Sequence, residues 1–152
     1  MKFLTCCLLL VKTMVFAQPS ASDEIDVKDV ITRMFDGMKK ADSTLLKPLF
    51  LPGATLQTVA KSKTGEVSVK ADPIAGFIKS VGSAKPGALD ERLSGMTAHI
   101  DGELATVWTP YTFYYNQQKR HCGANAFTLV KVAGRWQIQN IIDTRRQENC
   151  PE

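Results

Sequence analysis

Residues 120–146 read RHCGANAFTLVKVAGRWQIQNIIDTRR. Two runs rich in β-branched, aromatic and other apolar residues flank the dipeptide Ala133-Gly134, which is typical of a tight turn. The stretch therefore predicts two antiparallel β-strands that form a hairpin. We expect the rest of the chain to cover this hairpin.

The first segment of that cover is an amphipathic helix that starts near Ser22 and ends near Ala41. Its apolar residues recur at helical spacing, which places them on one side. They are Val27, Val30, Ile31, Met34, Phe35 and Met38. Asp42 or Ser43 then caps a short second helix, and for Asp42 the alternative is an acidic group in a pocket.

Further strands are expected at 54–61, 66–70, 95–100 and 104–115. A helix begins at Asp72-Pro73, where aspartate is a good cap and proline suits the first turn. Residues 82–95 are rich in glycine, lysine and proline and read as a loop. The predicted class is α+β: helices packed on a curved antiparallel sheet that forms an open cone with an internal pocket.

The N-terminus reads as a secretory signal peptide at residues 1–17, with cleavage after Ala17. Met1-Lys2 precedes an apolar run that only Lys12 interrupts, and Val15-Phe16-Ala17 resembles a cleavage site. A buried N-terminal helix is the alternative. The mature part is then one domain, residues 18–152, and its expected location is periplasmic or secreted.

The charge of the predicted mature chain is close to neutral. The full chain has 19 basic and 15 acidic residues. Removal of residues 1–17 takes away Lys2 and Lys12, which leaves about +2. No basic stripe with interleaved aromatic residues is present in the sequence, so nucleic acid is not an expected partner. No other segment has the length and apolarity of a membrane span.

Two cysteines, Cys122 and Cys150, remain after the predicted cleavage. An even pair in an exported protein suggests a disulfide that ties the C-terminal tail to the start of a strand. Two separate thiols are the alternative.

The hairpin turns predict which side chains share a face. A four-residue turn at 116–119 would place Trp108 opposite Phe127 and Tyr114 opposite His121. The turn at Ala133-Gly134 would place Phe127 opposite Asn140. The residues expected to line the pocket are Trp108, Thr112, Asn125, Phe127 and Asn140.

The two amides of this set, Asn125 and Asn140, would lie on an apolar wall. Buried amides need hydrogen-bond partners, so one expectation is that they bind a ligand. The alternative is that they form hydrogen bonds with each other, with a water or with the helix. The opposite face is apolar enough to suggest a homodimer formed through the outer sheet surface, with cover by the loop or tail as the alternative. It would carry Val107, Tyr111, Phe113, Tyr115, Ala124, Ala126, Val130 and Ile141.

This layout resembles the nuclear transport factor 2-like (cystatin-like) superfamily over nearly the whole mature chain. The pattern HCGANAF…GRWQI…IIDTRR is similar to small exported bacterial proteins of the SnoaL-like and lumazine-binding groups. The superfamily contains isomerases, dehydratases, epoxide hydrolases, cyclases and non-catalytic binders, so the resemblance implies a fold without implying one activity.

The residues disfavour most of those chemistries. The predicted inner face of the last four strands has no carboxylate to act as a base. Asp143 and Arg145 are expected on the opposite face as an ion pair. Only His99 and His121 could be imidazole ligands, so neither a metal site nor a cofactor is predicted. Cys122 should point away from His121, because adjacent residues of a strand face opposite ways.

Three functions remain. The first is binding of a small apolar or aromatic molecule in the cone pocket. The second is a hydro-lyase or isomerase that uses His121 and Tyr114, helped by an acid such as Asp36. The third is a dimeric structural or interaction module.

Overall fold

A computed structural model describes residues 21–62 and 64–150 of the 152-residue chain. The predicted signal peptide and its cleavage site after Ala17 lie outside these residues. The helices are α1 (Ala21–Lys40), α2 (Ser43–Leu46), continued by a 3-10 turn at Lys47–Leu49, and α3 (Ile74–Gly82). The strands are β1 (Phe50–Lys61), β2 (Val67–Pro73), β3 (Leu89–Leu93), β4 (Thr97–Asp101), β5 (Leu104–Tyr115), β6 (Gln118–Val132) and β7 (Arg135–Thr144).

The strands form one curved, unclosed sheet in the order β2-β1-β7-β6-β5-β3, and β4 also pairs with β5. The α+β class is confirmed. The sheet is mixed and not wholly antiparallel, because β1 runs parallel to β7. The long chain segment between β1 and β7 permits a parallel pair, which a tight hairpin cannot form.

Helix α1 lies on the concave side of the sheet, and its predicted apolar stripe is buried there. The stripe packs on side chains that alternate along the central strands, such as Phe127, Leu129 and Ile138. Phe35 meets Phe127 edge to face at 6.1 Å between ring centroids. The predicted Asp42 cap is also confirmed, since its Oδ1 accepts from the Leu45 backbone N–H at 2.9 Å.

The β5–β6 register differs from the prediction. The connection is a two-residue turn at Asn116-Gln117, whose φ angles of 50° and 64° match the tight hairpin turns that suit twisted strands. Arg120 is then left unpaired between the pairs Tyr114–Lys119 and Phe113–His121. Trp108 consequently lies opposite Ala126, and Thr112 lies opposite Cys122. The predicted pairing of Trp108 with Phe127 is wrong.

A second irregularity lies in the β6–β7 hairpin. Leu129 pairs with Ile138 as predicted, but Thr128 pairs with Asn140, so Gln139 is an extra residue. One extra residue turns all later side chains of the strand to the other face. Asn140 therefore points outward, and Asp143 points into the cone. The predicted outward orientation of Asp143 is wrong.

The Cys122–Cys150 disulfide is present, with Cα atoms 5.5 Å apart. Beyond β7 the tail lies against the start of β6, where Cys122 and Arg146 exchange two backbone hydrogen bonds of 2.8 Å. Cys122 is fully buried on the outer side of β6. It points away from the inner wall, as strand alternation predicts.

Candidate functional site

A cavity of about 220 Å³ lies at one end of the cone, between the sheet and the two helices α1 and α3. One part of its wall is apolar and comes from both helices and from β1, β3 and β5. Its members are Met38, Leu56, Phe77, Val81, Leu89 and Phe113. The rest is polar and consists of Ser80, Glu91, His121, Asp143 and Arg145. An apolar hollow with a few convergent polar groups is the usual form of a small-molecule site.

Asp143 is the centre of the polar wall, and only 5% of the residue is exposed. Its Oδ2 accepts from Arg145 Nε at 2.8 Å and from Tyr111 Oη at 3.2 Å. Its Oδ1 is buried and has no hydrogen-bond partner among residues 21–62 and 64–150. Because buried polar atoms are nearly always paired, Oδ1 is an unusual unpaired acceptor in a residue that lines the cavity.

Glu91 supplies a second carboxyl group from β3, a strand that the sequence did not predict. Asn125 Nδ2 donates to its Oε1 at 2.8 Å. Burial raises the pKa of Glu91 to about 7; the charge of Asp143 adds to the rise, and the Asn125 hydrogen bond opposes it. Near pH 7 this carboxyl is therefore divided between its acid and its ionised form, so it can donate or accept a proton.

Tyr111 contacts two residues at the end of β7, Asp143 and Thr144. Its Oη lies 3.0 Å from the Thr144 carbonyl oxygen and 3.2 Å from Asp143 Oδ2. Burial raises the pKa of Tyr111 far above its ordinary value, and the carboxylates of Asp143 and Glu91 add to this. Tyr111 therefore stays a neutral phenol that holds Asp143 in position.

His121 lies between two aromatic rings, 5.8 Å from Tyr111 and 5.0 Å from Phe113 between ring centroids. Burial lowers the pKa of His121, the charges of Arg145 and Arg120 lower it further, and Asp143 acts in the opposite direction. The imidazole is therefore neutral near pH 7, and one ring nitrogen can accept a proton.

Three of the residues predicted to line the pocket lie elsewhere. Trp108 is on the outer face and 52% exposed. Thr112 is buried on the outer side, opposite Cys122. Asn140 is also outside, where its Oδ1 accepts from Thr55. The cause is the two unpaired residues, Arg120 and Gln139, which shift the registers.

The other predicted residues are on the inner side. Phe127 is part of the core against α1. Asn125 is buried and reaches Glu91 instead of Asn140. His121 lines the cavity. Its predicted companion Tyr114 does not, because it follows the cavity residue Phe113 on β5 and therefore points to the other face, where the Arg92 guanidinium lies 4.1 Å from the Tyr114 ring centroid.

Three polar cavity residues, Glu91, Asp143 and Arg145, were not assigned to the pocket from the sequence, and neither was Tyr111, which bonds to Asp143. Glu91 lies within residues 82–95, which the sequence predicts to be a loop. Tyr111, Asp143 and Arg145 were assigned to the outer face by strand parity. The alternative acid from the first helix, Asp36, lies on the surface, 3.8 Å from Lys40 Nζ.

Within the described part of the chain, no three His, Cys, Asp or Glu side chains form a group that could hold a metal ion. No helix there has the length and apolarity needed to cross a membrane.

No family model matches the chain, and no curated protein does. Solved structures do match. An NTF2-like protein of unknown function from Shewanella baltica OS155 is 20% identical, with a TM-score of 0.64 over 87% of this chain and 100% of that one. A protein with a cystatin-like fold from Nostoc punctiforme PCC 73102 is 12% identical, with a TM-score of 0.69 over 89% and 98%.

A third match is an NTF2-like protein with a cystatin-like fold from Novosphingobium aromaticivorans. It is 13% identical, with a TM-score of 0.66 over 84% of each chain. Similarity at this level of identity concerns the fold and not the activity. The chain therefore has the nuclear transport factor 2-like, cystatin-like fold.

Proposed function

We propose that this protein binds a small, largely apolar or aromatic molecule in the cone cavity. The observation that carries the proposal is the unpartnered Asp143 Oδ1 on the polar wall of an otherwise apolar hollow. Typical ligand pockets measure roughly 300–1,000 Å³, so a cavity of about 220 Å³ favours a single ring or a short chain. A hydroxyl on that ring could donate to Asp143 Oδ1.

The test uses 4-ethylphenol as a probe and Leu56→Trp as a variant that fills the cavity. Leu56 lines the hollow from β1. We expect wild-type protein to bind the probe in calorimetric titration, and Leu56→Trp to bind at least about tenfold more weakly, since displaced apolar contacts are worth one or more kcal/mol. Val69→Trp is the control, because Val69 is exposed on the neighbouring strand β2. Equal binding by all three proteins would contradict the proposal.

A second candidate function is acid–base catalysis of the hydro-lyase or isomerase kind. It is favoured by three titratable groups that share one wall, Glu91, His121 and Asp143. Enzymes that transfer protons near neutral pH need groups whose pKa values lie close to that pH, as that of Glu91 does. Tyr111 replaces Tyr114 in this arrangement as the phenol that holds the carboxylate.

The catalytic candidate is tested by deuterium exchange next to the carbonyl of phenylacetone, followed by NMR. Abstraction of that proton needs a base within hydrogen-bonding reach. We expect exchange catalysed by wild-type protein to be lost in Glu91→Gln and in Asp143→Asn. A wild-type rate no higher than that of the two variants would exclude this chemistry for the probe.

The state of Glu91 can be tested through stability. Because its pKa is raised from 4.5 to about 7, the unfolded chain ionises first as pH rises. The wild-type free energy of unfolding should therefore fall relative to Glu91→Gln between about pH 4.5 and 7, by at most about 3 kcal/mol. Urea denaturation at several pH values measures the difference. Glu66→Gln, which removes an exposed carboxylate, is the control, and a pH-independent difference would refute the expectation.

We also propose a homodimer formed through the outer sheet face, with Trp108 near its centre. Trp108 is half-exposed and lines a surface hollow with the apolar residues Ala126 and Ile142 and with polar residues such as Asn140. Exposed aromatic side chains in an apolar surface patch are typical of subunit interfaces. Sedimentation should give a dimer for wild-type protein and a monomer for Trp108→Glu. A wild-type monomer at high concentration would refute this.

Export remains a proposal too, and it is supported by the disulfide, since such bonds persist in oxidising compartments. Mass spectrometry of the protein from its host should find an N-terminus at Gln18. If the protein that accumulates in its host still begins at Met1, cleavage after Ala17 is excluded.

A further inference from the structure

A groove of about 810 Å³ lies next to the cavity, where β6 begins and β7 ends. Since β6 and β7 are antiparallel, their neighbouring ends bring basic residues from two distant segments together. The residues that line it are Lys119, Arg120, His121, Arg145, Arg146 and Gln147. No acidic residue is among them, so the groove is strongly positive.

Among the residues that the structure describes, most of this positive charge has no ion-pair partner. Arg145 is paired with Asp143. Within residues 21–62 and 64–150, no carboxylate forms an ion pair with Lys119, Arg120 or Arg146. Like charges held close together repel, and a bound anion would relieve that repulsion.

The groove is also held in place by the protein. The two backbone hydrogen bonds between Cys122 and Arg146 fix the tail against β6, and the disulfide closes the tail over the same strand. The Arg146 guanidinium donates to the Asn149 carbonyl oxygen at 3.2 Å. These contacts keep Arg145 and Arg146 beside Lys119 and Arg120 of β6.

The groove and the cavity meet at two residues, since His121 and Arg145 line both. Arg145 uses Nε for Asp143 and has a side chain 49% exposed. Its orientation is thus set from inside the cone, while the side chain also lines the groove. A guanidinium held in this way is well suited to an oxyanion, which it can bind through two parallel hydrogen bonds.

We propose that the ligand is an amphiphilic anion, whose small apolar body occupies the cavity and whose carboxylate, or a similar oxyanion, lies in the groove between Arg145 and Arg120. This inference rests on the proposed binding function and specifies its ligand class. The apolar wall selects the body, and the basic groove selects the head group.

The test compares two probes of nearly equal shape, 4-ethylbenzoate and neutral 4-ethylbenzamide, by calorimetric titration. Wild-type protein should bind the benzoate at least about tenfold more tightly, since hydrogen bonds to charged groups contribute more than neutral ones. Lys119→Gln/Arg120→Gln should remove most of that preference and leave benzamide binding within about twofold. Added salt should weaken binding of the benzoate alone.

The control is Lys70→Gln/Lys85→Gln, which removes the same charge from exposed positions outside the groove. It should keep the preference for the benzoate. Equal affinity of wild-type protein for both probes, with 4-ethylphenol still bound, would overturn this inference and leave the binding function intact. Failure of 4-ethylphenol and both new probes to bind would overturn both. Binding of inorganic phosphate as tight as that of the benzoate would also overturn it, because the cavity would then add nothing.

Discussion

Replacement of both Cys122 and Cys150 by alanine is expected to lower the free energy of unfolding by about 3 to 4 kcal/mol. The bridge joins residues separated by 28 positions, and the release of a loop of that length increases the entropy of the unfolded chain. Cys122 is also fully buried, so the change removes packed atoms. Urea denaturation measures the loss, which corresponds to a fall in Tm of roughly 10 °C for a domain of this size.

Wild-type protein in excess reductant is the companion sample and should lose a similar amount. The single variant Cys150→Ala should lose somewhat less than the double variant, because it opens the loop but keeps the buried Cys122 side chain. A loss below about 1 kcal/mol in all three samples would mean that the backbone hydrogen bonds between Cys122 and Arg146 suffice to hold the tail.

Gly123→Ala is expected to cost at least about 3 kcal/mol. A methyl group at this position would lie 1.8 Å from the Thr144 carbonyl oxygen and 3.0 Å from the Tyr111 ring. Neither can withdraw easily, since Tyr111 Oη is also bonded to that carbonyl oxygen. The end of β7 would have to separate from β6, which places the variant at the severe end of overpacking.

Gly76→Ala is the matched control, because a methyl group there has no atom within 4 Å. Gly76 lies in α3, where alanine should raise stability by about 0.5 to 1 kcal/mol. Both variants are measured by urea denaturation against wild-type protein. A Gly123→Ala variant within 1 kcal/mol of wild type would show that the end of β7 shifts freely.

The buried side of the first helix and the strand pairing nearest the β6–β7 turn were predicted well. The spacing of Val27, Ile31 and Met34 identifies the buried side of α1, because helical periodicity leaves one side apolar. The Asp42 cap follows from local hydrogen bonding alone. Leu129 opposite Ile138 follows from a tight turn only a few residues away.

The site was predicted less well, because it depends on strand register far from the turns. Arg120 and Gln139 are each one residue too many for regular pairing. Nothing in the local sequence marks either position, since a bulge is stabilised by the sheet around it. Because of these two residues, Trp108 and Asn140 face outward and Tyr111 and Asp143 face inward, which is the reverse of the prediction.

By itself, the amino-acid sequence determined the α+β class, the buried side of α1, the β6–β7 hairpin and the candidate cysteine pair. These follow from periodicity, turn chemistry and composition, which act over a few residues. Only the tertiary structure decided that Glu91, His121, Asp143 and Arg145 share one cavity, and that this cavity opens beside a basic groove. The pairing of the strands decides which side chains face the cavity. Side chains alternate between the two faces of a strand, so one unpaired residue reverses the face of every side chain beyond it.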